Sequence, residues 1–256
     1  MPITDETITS LRAAATAGAP NAARELGRLL SMLRTDSLED ARNSDFLATW
    51  PEEPWLRTAL HARPDDHLAA LLLAGRLVQQ IAFWQIDTDH AAEHGENDQT
   101  LARRRAEAQA LYTRVLQADP TNPTALAGTA ALNTRADTTT APERFSYYEL
   151  NLETGSGSFT HSERVITTDP DEVRWACSWL MAPVVAEVEE PPYGVDLHLF
   201  TYMNGSCDTT IDLGQHFTTD GTLNWTTAKI PPLTGELLPA GHPVDAGHYG
   251  YSCDWG

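Results

Sequence analysis

Two groups of residues have types and spacings that could do chemistry. In His90-Ala-Ala-Glu93-His94 the two imidazoles would lie one turn apart on a helix and could hold zinc, with Glu93 as base on a zinc-bound water, the arrangement of a zinc-dependent hydrolase. The second group is His242, Asp245 and His248, followed by Cys253 and Asp254, all legitimate metal ligands but irregularly spaced. Neither group brings the rest of what its chemistry needs. The first is flanked by Asp87, Asp89, Gly95 and Asn97, the composition of a solvated acidic loop, and no third ligand is marked out for it. The second lies in a Gly-Pro stretch that reads as a loop packed over a sheet edge. His161 and Ser162 are mere sequence neighbours, and no G-x-S-x-G, P-loop or G-x-G-x-x-G pattern occurs. The expectation is therefore a chain with no catalytic residue, no metal and no cofactor.

Charge narrows the partners. Of 256 residues 36 are acidic and 17 basic, a formal charge of -19. Such a surface repels phosphate, which excludes nonspecific nucleic-acid binding and attachment to anionic membranes. An apolar fraction of 41% is too high for a wholly disordered chain. No stretch reaches the ~18 uninterrupted apolar residues of a membrane span, since LAALLLAGRLVQQIAFW holds Arg76, Gln79 and Gln80. Met-Pro-Ile-Thr-Asp-Glu carries no basic and apolar leader signal, and Cys177, Cys207 and Cys253 are odd in number and far apart, so a cytoplasmic protein with reduced thiols is expected. The Arg-rich, Ala-rich composition, with Lys229 the single lysine, reads as bacterial.

Whatever binds must be positioned by two different kinds of element. Up to Thr140 the chain is rich in Ala, Leu and Arg, good helix formers; beyond it come Tyr, Thr, Val, Gly and Pro with period-two stretches. Residues 1–138 thus read as one domain and 144–256 as another. The split also divides the charge, -6 for residues 1–140 and -13 for 141–256.

The first half shows recurrences. In AGAPNAARELGRLL, Gly18, Ala22, Leu26 and Gly27 have the spacing of a Sel1-like helical repeat, where Gly permits a tight interhelical turn and a Leu-Gly pair sets one large knob beside bare backbone. In AEAQALYTRVLQADPTNPTALAGTAAL, Ala108, Tyr112, Val115 and Pro120 resemble the second helix and junction of a tetratricopeptide repeat, with Val115 larger than the usual Ala. WLRTALHARPDDHLAALLLAGRL is a weaker copy, with Leu56, Ala59 and Leu60 on one face and Ala74-Gly75 in the Leu-Gly place. The junction prolines Pro64 and Pro120 lie 56 positions apart, against about 34 in a regular array, which implies an insertion in the polar stretch 86–100. His90-x-x-Glu93-His94, whose spelling resembles that of inverted zinc peptidases, falls inside it. The resemblance to tetratricopeptide and Sel1-like proteins covers residues 13–134. It implies stacked helix pairs around a groove that binds a protein or peptide, and its register assigns Ala69, Leu72, Arg76, Gln79 and Gln80 to the groove wall. Arg76, Gln79 and Gln80 are the candidate partner-binding residues, able to grip peptide carbonyls or carboxylates.

The second half reads as α+β with a mostly antiparallel sheet. Residues 145–153 alternate as a half-buried strand, Gly155–Ser158 turns the chain into a hairpin partner, and Asn204-Gly205 is the best hairpin signal in the sequence. Between them Asp169, Pro170 and Glu172 spell an N-cap, N1 and capping-box glutamate, ahead of a stripe of Val173, Ala176, Cys177 and Leu180. Trp175 and Trp179 are expected to pack in the core, Arg103-Arg-Arg105 to form a solvated helix face, and the tail from Leu238 onward to be loop. The function expected is that of a non-catalytic adaptor or regulatory protein binding a partner through the groove. The alternatives are an acidic inhibitor or immunity-type protein for a basic toxin or nuclease, and a zinc-dependent hydrolase using His90, Glu93 and His94.

Overall fold

A computed structural model of the chain describes residues 3–33, 50–86, 95, 97–133, 144–156, 159–186, 195–216, 223–242 and 249–253. Among the described residues six helices come first: α1 (Asp5–Thr16), α2 (Pro20–Leu33), α3 (Glu53–Ala62), α4 (His67–Ile86), α5 (Asp98–Ala118) and α6 (Pro123–Asn133). Four of their starts are set by side chains that satisfy orphan N–H groups, while α3 begins without a side-chain cap, on Pro54 in its first turn. Thr4 caps α1 in a reciprocal box with Thr7, and Asn97 caps α5 in another with Thr100. Asp66 accepts the Ala69 N–H at the head of α4 (3.1 Å), and Asn122 that of Ala125 at the head of α6 (3.0 Å). Gly18, at φ +91°, makes the turn between α1 and α2, a conformation that costs other residues about 1–2 kcal/mol.

Each helix packs on the next, and α4 also touches α2 and α6. The long apolar run 68–77 belongs to α4, buried on nearly every side among α3, α5 and α6. Among the described residues no helix is long and apolar enough to cross a membrane. Two glycines mark close approaches between helices. A Cβ on Gly27 would meet Leu56 Cγ of α3 at 2.7 Å, and one on Gly128 would run into the Tyr112 ring. Tyr112 is fully buried against α6.

The second part is a mainly antiparallel sheet of β1 (Phe145–Ser156), β2 (Phe159–Thr167), β3 (Val195–Met203), β4 (Ser206–Asp212), β5 (Glu236–Leu237) and β6 (Tyr249–Cys253), with α7 (Pro170–Ala186) between β2 and β3. Strand order is β4-β3-β1-β2-β6, with the short β5 parallel to the start of β1. In register, Leu150 of β1 stands between Val165 and Leu199, and this inner face meets Val173, Ala176 and Cys177 of α7. Trp175 is buried as well, while the Trp179 side chain lies outside the described residues. The β3–β4 hairpin turns at Asn204 (φ 51°) and Gly205 (φ 79°), the left-handed pair that a two-residue turn of twisted strands requires.

Three expectations change. The tail is not all loop: Tyr249–Cys253 pairs with the free edge of β2, and just ahead of the tail Glu236–Leu237 pairs with β1. A five-residue strand rich in Gly and Tyr has little signal of its own, and its partner lies ninety residues earlier. Glu172 does not close a capping box. Asp169 accepts the Asp171 N–H (2.8 Å), while the Glu172 carboxylate bonds Thr167 Oγ1 and Arg28 of α2 (2.5 Å). Arg103–Arg105 is not wholly a solvated face: Arg103 is exposed, but Arg105 is half-buried and donates to the Leu132 carbonyl at the end of α6.

The helices and the sheet meet along α2 and α4. Besides the Arg28–Glu172 pair, the segment Leu238–His242 runs over them, so that a Cβ on Gly75 would lie 3.1 Å from the Gly241 carbonyl oxygen. Gly241 (φ +74°) presses in turn on the α4 backbone at Leu71 and Leu72.

Candidate partner-binding surface

The wall residues assigned by the repeat register are drawn inward. Arg76 is 4% exposed, and its Nε donates at 2.6 Å to Oε1 of the fully buried Glu52, while the guanidinium lies over Trp50 with 5.5 Å to the ring centroid. Gln80 is also fully buried and donates to Glu53 Oε2 (2.9 Å). Ala69 and Leu72 are buried and Gln79 half-buried. The cause is the start of α3, which lays Glu52 and Glu53 against this face of α4; the adjoining face, at Leu71 and Gly75, is covered by Gly241. Arg76 and Gln80 therefore tie two helices together and are not presented to solvent.

Other ion pairs lock the same array. Arg57 of α3 reaches Glu53 (2.8 Å) and grips Glu107 of α5 with both terminal nitrogens (2.5 and 2.9 Å). Asp66 receives Arg24 (2.8 Å) and Arg63 (2.5 Å). Burial alone would raise the Asp66 carboxyl; the Ala69 N–H and Arg24 outweigh it and hold it below the ordinary carboxylate range.

The open concavity lies at the far end of the array, where the end of α4, the first half of α5 and the end of α6 enclose a cleft of about 530 Å³. Buried Trp84 and Leu132 with half-buried Leu101 make an apolar floor, and exposed Asp98 and Asn133 stand at its rim. Arg105, also on the wall, is held by its bond to the Leu132 carbonyl, so the C-terminus of α6 is tied to the cleft it helps to form. Sequence reasoning missed this site because its walls come from three helices and no one segment carries its signature. The Arg103–Arg105 run was the single hint.

His90, Glu93 and His94 lie outside the described residues, as do Asp245, His248 and Asp254. His242 is described. It is buried edge-on against Phe145, 5.6 Å between ring centroids, and burial, helped by Arg144, lowers its pKa to about 4. Among the described residues no three His, Cys, Asp or Glu side chains gather where they could hold a metal ion. Cys177 and Cys207 are free thiols, and burial pushes the Cys177 thiol up.

The sheet face turned away from α7 is the second surface of note. Tyr147 and Tyr202 stack there at 4.6 Å with rings 10° apart, and the Glu149 carboxylate lies 3.3 Å from Arg164 Nε. Burial raises the Glu149 carboxyl, opposed by Arg164. The Tyr147 hydroxyl is buried with no hydrogen-bond partner. Beyond these the face opens through half-buried Phe200 and Tyr202.

Comparison of the chain with protein families, with curated proteins and with solved structures finds no match in any of the three.

Proposed function

We propose that this chain is a non-catalytic binding protein, an adaptor or regulatory module, whose helical array takes a partner segment in the cleft between α4, α5 and α6. The observation that carries the reading is the cleft itself. An apolar floor of Trp84, Leu101 and Leu132 beneath a polar rim suits an apolar anchor residue of a partner, with rim groups to orient the flanking backbone. The resemblance of residues 13–134 to tetratricopeptide and Sel1-like arrays supports the same class of function. The contact proposed here, however, lies not at Arg76, Gln79 and Gln80 but at the end of the array, since Arg76 and Gln80 are engaged by Glu52 and Glu53.

Ala102, exposed on the cleft wall, allows the test. Partner capture by cross-linking in cells should be lost in Ala102→Arg, which fills the cleft, and kept in Ala13→Arg, the same change on the exposed side of α1. Equal capture by both variants would remove the cleft from the function. Stoichiometric zinc in the purified protein, with hydrolysis that stops in chelator, would favour His90, Glu93 and His94 instead.

One observation favours a second reading, an acidic inhibitor or immunity-type protein: residues 141–256 carry -13 of the total charge. Such a domain would cover a basic active site and be steered to it electrostatically.

A further inference from the structure

The outer sheet face combines charge with an open aromatic centre, away from the cleft and independent of it. Antiparallel register fixes which residues share the face. Asn151 of β1 stands between Arg164 of β2 and His198 of β3, Glu149 between Ile166 and Phe200, and Tyr147 beside Tyr202. On the outer strand β4, Thr210 stands opposite Phe200, and Asp212 opposite His198. At the far end β1 and β3 set Glu153 directly opposite Asp196. Among the described residues of the face the arginines are Arg164, already paired with Glu149, and Arg144 at one end, which lies over the Phe145 ring and 3.9 Å from Glu236.

This face is thus an aromatic patch with an acidic border and no spare positive charge. Phe200 and Tyr202 are half-buried on it, and Asp196 is exposed. The hydroxyl of Tyr147, one of the two stacked rings, is fully buried with no hydrogen-bond partner. Aromatic rings attract guanidinium and ammonium groups across their faces, and bordering carboxylates reinforce that attraction. We propose that the outer face of β1, β3 and β4 docks a basic protein, whose Arg or Lys side chains lie over Phe200 and Tyr202 and pair with Asp196 and Asp212. This names the surface that the inhibitor reading needs, and rests on that reading only for the partner's sign of charge.

The test uses the full chain and a ten-residue polyarginine peptide as probe, with binding sites read by amide chemical shifts. Shifts should concentrate on β1, β3 and β4. Asp196→Asn with Asp212→Asn should weaken binding about fivefold or more, whereas the charge-matched pair Glu6→Gln with Asp65→Asn, exposed on the helical part, should weaken it less than about twofold. Asp212 also accepts the Gly214 N–H (2.9 Å), so the exposed Asp196→Asn alone and Phe200→Leu are read as well, each checked for an unchanged melting temperature. Binding should weaken with salt, since exposed charges are screened over about 8 Å at physiological ionic strength. Shifts spread over the whole acidic surface, equal losses in both charge-matched pairs, or no effect of Asp196→Asn and Phe200→Leu would overturn the proposal. So would a dimer of this chain that Phe200→Leu dissolves, for the face would then be covered by a second copy. Loss of partner capture in Ala102→Arg with unchanged polyarginine binding would separate the cleft from this face.

Discussion

Single side chains in this molecule are set by what buries them, and His242 shows the consequence most directly. It is 7% exposed against Phe145, with a pKa lowered to about 4 from 6.5, through burial first and the Arg144 charge second. Between those two values the unfolded chain holds a proton on His242 that the folded chain does not. Stability must therefore fall as the pH drops from 6.5 toward 4, by up to about 3 kcal/mol from this group. Asp66 acts in a lower window: its depressed carboxyl contributes stability above its unfolded value near 3.8, which is lost as the pH falls through the folded one. Denaturant unfolding at pH 7 and pH 5 should show the difference for the wild type, and His242→Gln should flatten it. An unchanged slope in the variant would mean that His242 is hydrated in solution.

At the scale of helices and strands, fit is decided by pairs of unequal size. Tyr112 lies where Gly128 leaves bare backbone, and the ring occupies the space a Cβ would need. Tyr112→Ala should lower stability by about 3–5 kcal/mol, the range for truncating a buried aromatic, as measured by denaturant unfolding. The buried hydroxyl has no hydrogen-bond partner, so Tyr112→Phe should be close to neutral or mildly stabilising. A near-neutral alanine variant would show that α5 and α6 do not meet through this ring.

For the whole molecule, the contact between the helices and the sheet is partly apolar, with Leu26, Leu29 and Leu30 of α2 in one buried cluster with Val173, Trp175 and Cys177 of α7, and partly polar. It includes the Arg28–Glu172 pair and the Gly75–Gly241 approach, while most helical packing runs between neighbours in sequence. Packing between sequence neighbours is kept when the chain is cut beyond them. Cutting the chain between Asp137 and Pro142 should accordingly leave residues 1–138 helical by circular dichroism, with a melting temperature below that of the intact protein. An unfolded fragment would mean that the helices depend on Leu238–His242 and α7 for their core.

How far the chain can be read without its structure depends on how local each cause is. The sequence by itself determined the start of α7 at Asp169 and Pro170, the turns at Gly18 and Asn204-Gly205, the β1–β2 hairpin and the burial of Tyr112, because each follows from torsion angles, a side chain a few residues away or a periodicity within one element. It also placed Arg76 and Gln80 on one face of α4, but not what lies over that face. Only the tertiary structure decided that Glu52 and Glu53 cover it, that Glu172 serves Arg28 in place of a capping box, and that Tyr249–Cys253 completes an edge of the sheet. It alone assembled the cleft of Trp84, Leu101 and Leu132 and the aromatic face around Phe200 and Tyr202. These contacts join residues from 24 positions apart, as in Arg76 and Glu52, to more than a hundred. At such distances the partner is chosen by how elements pack, which local spacing does not encode.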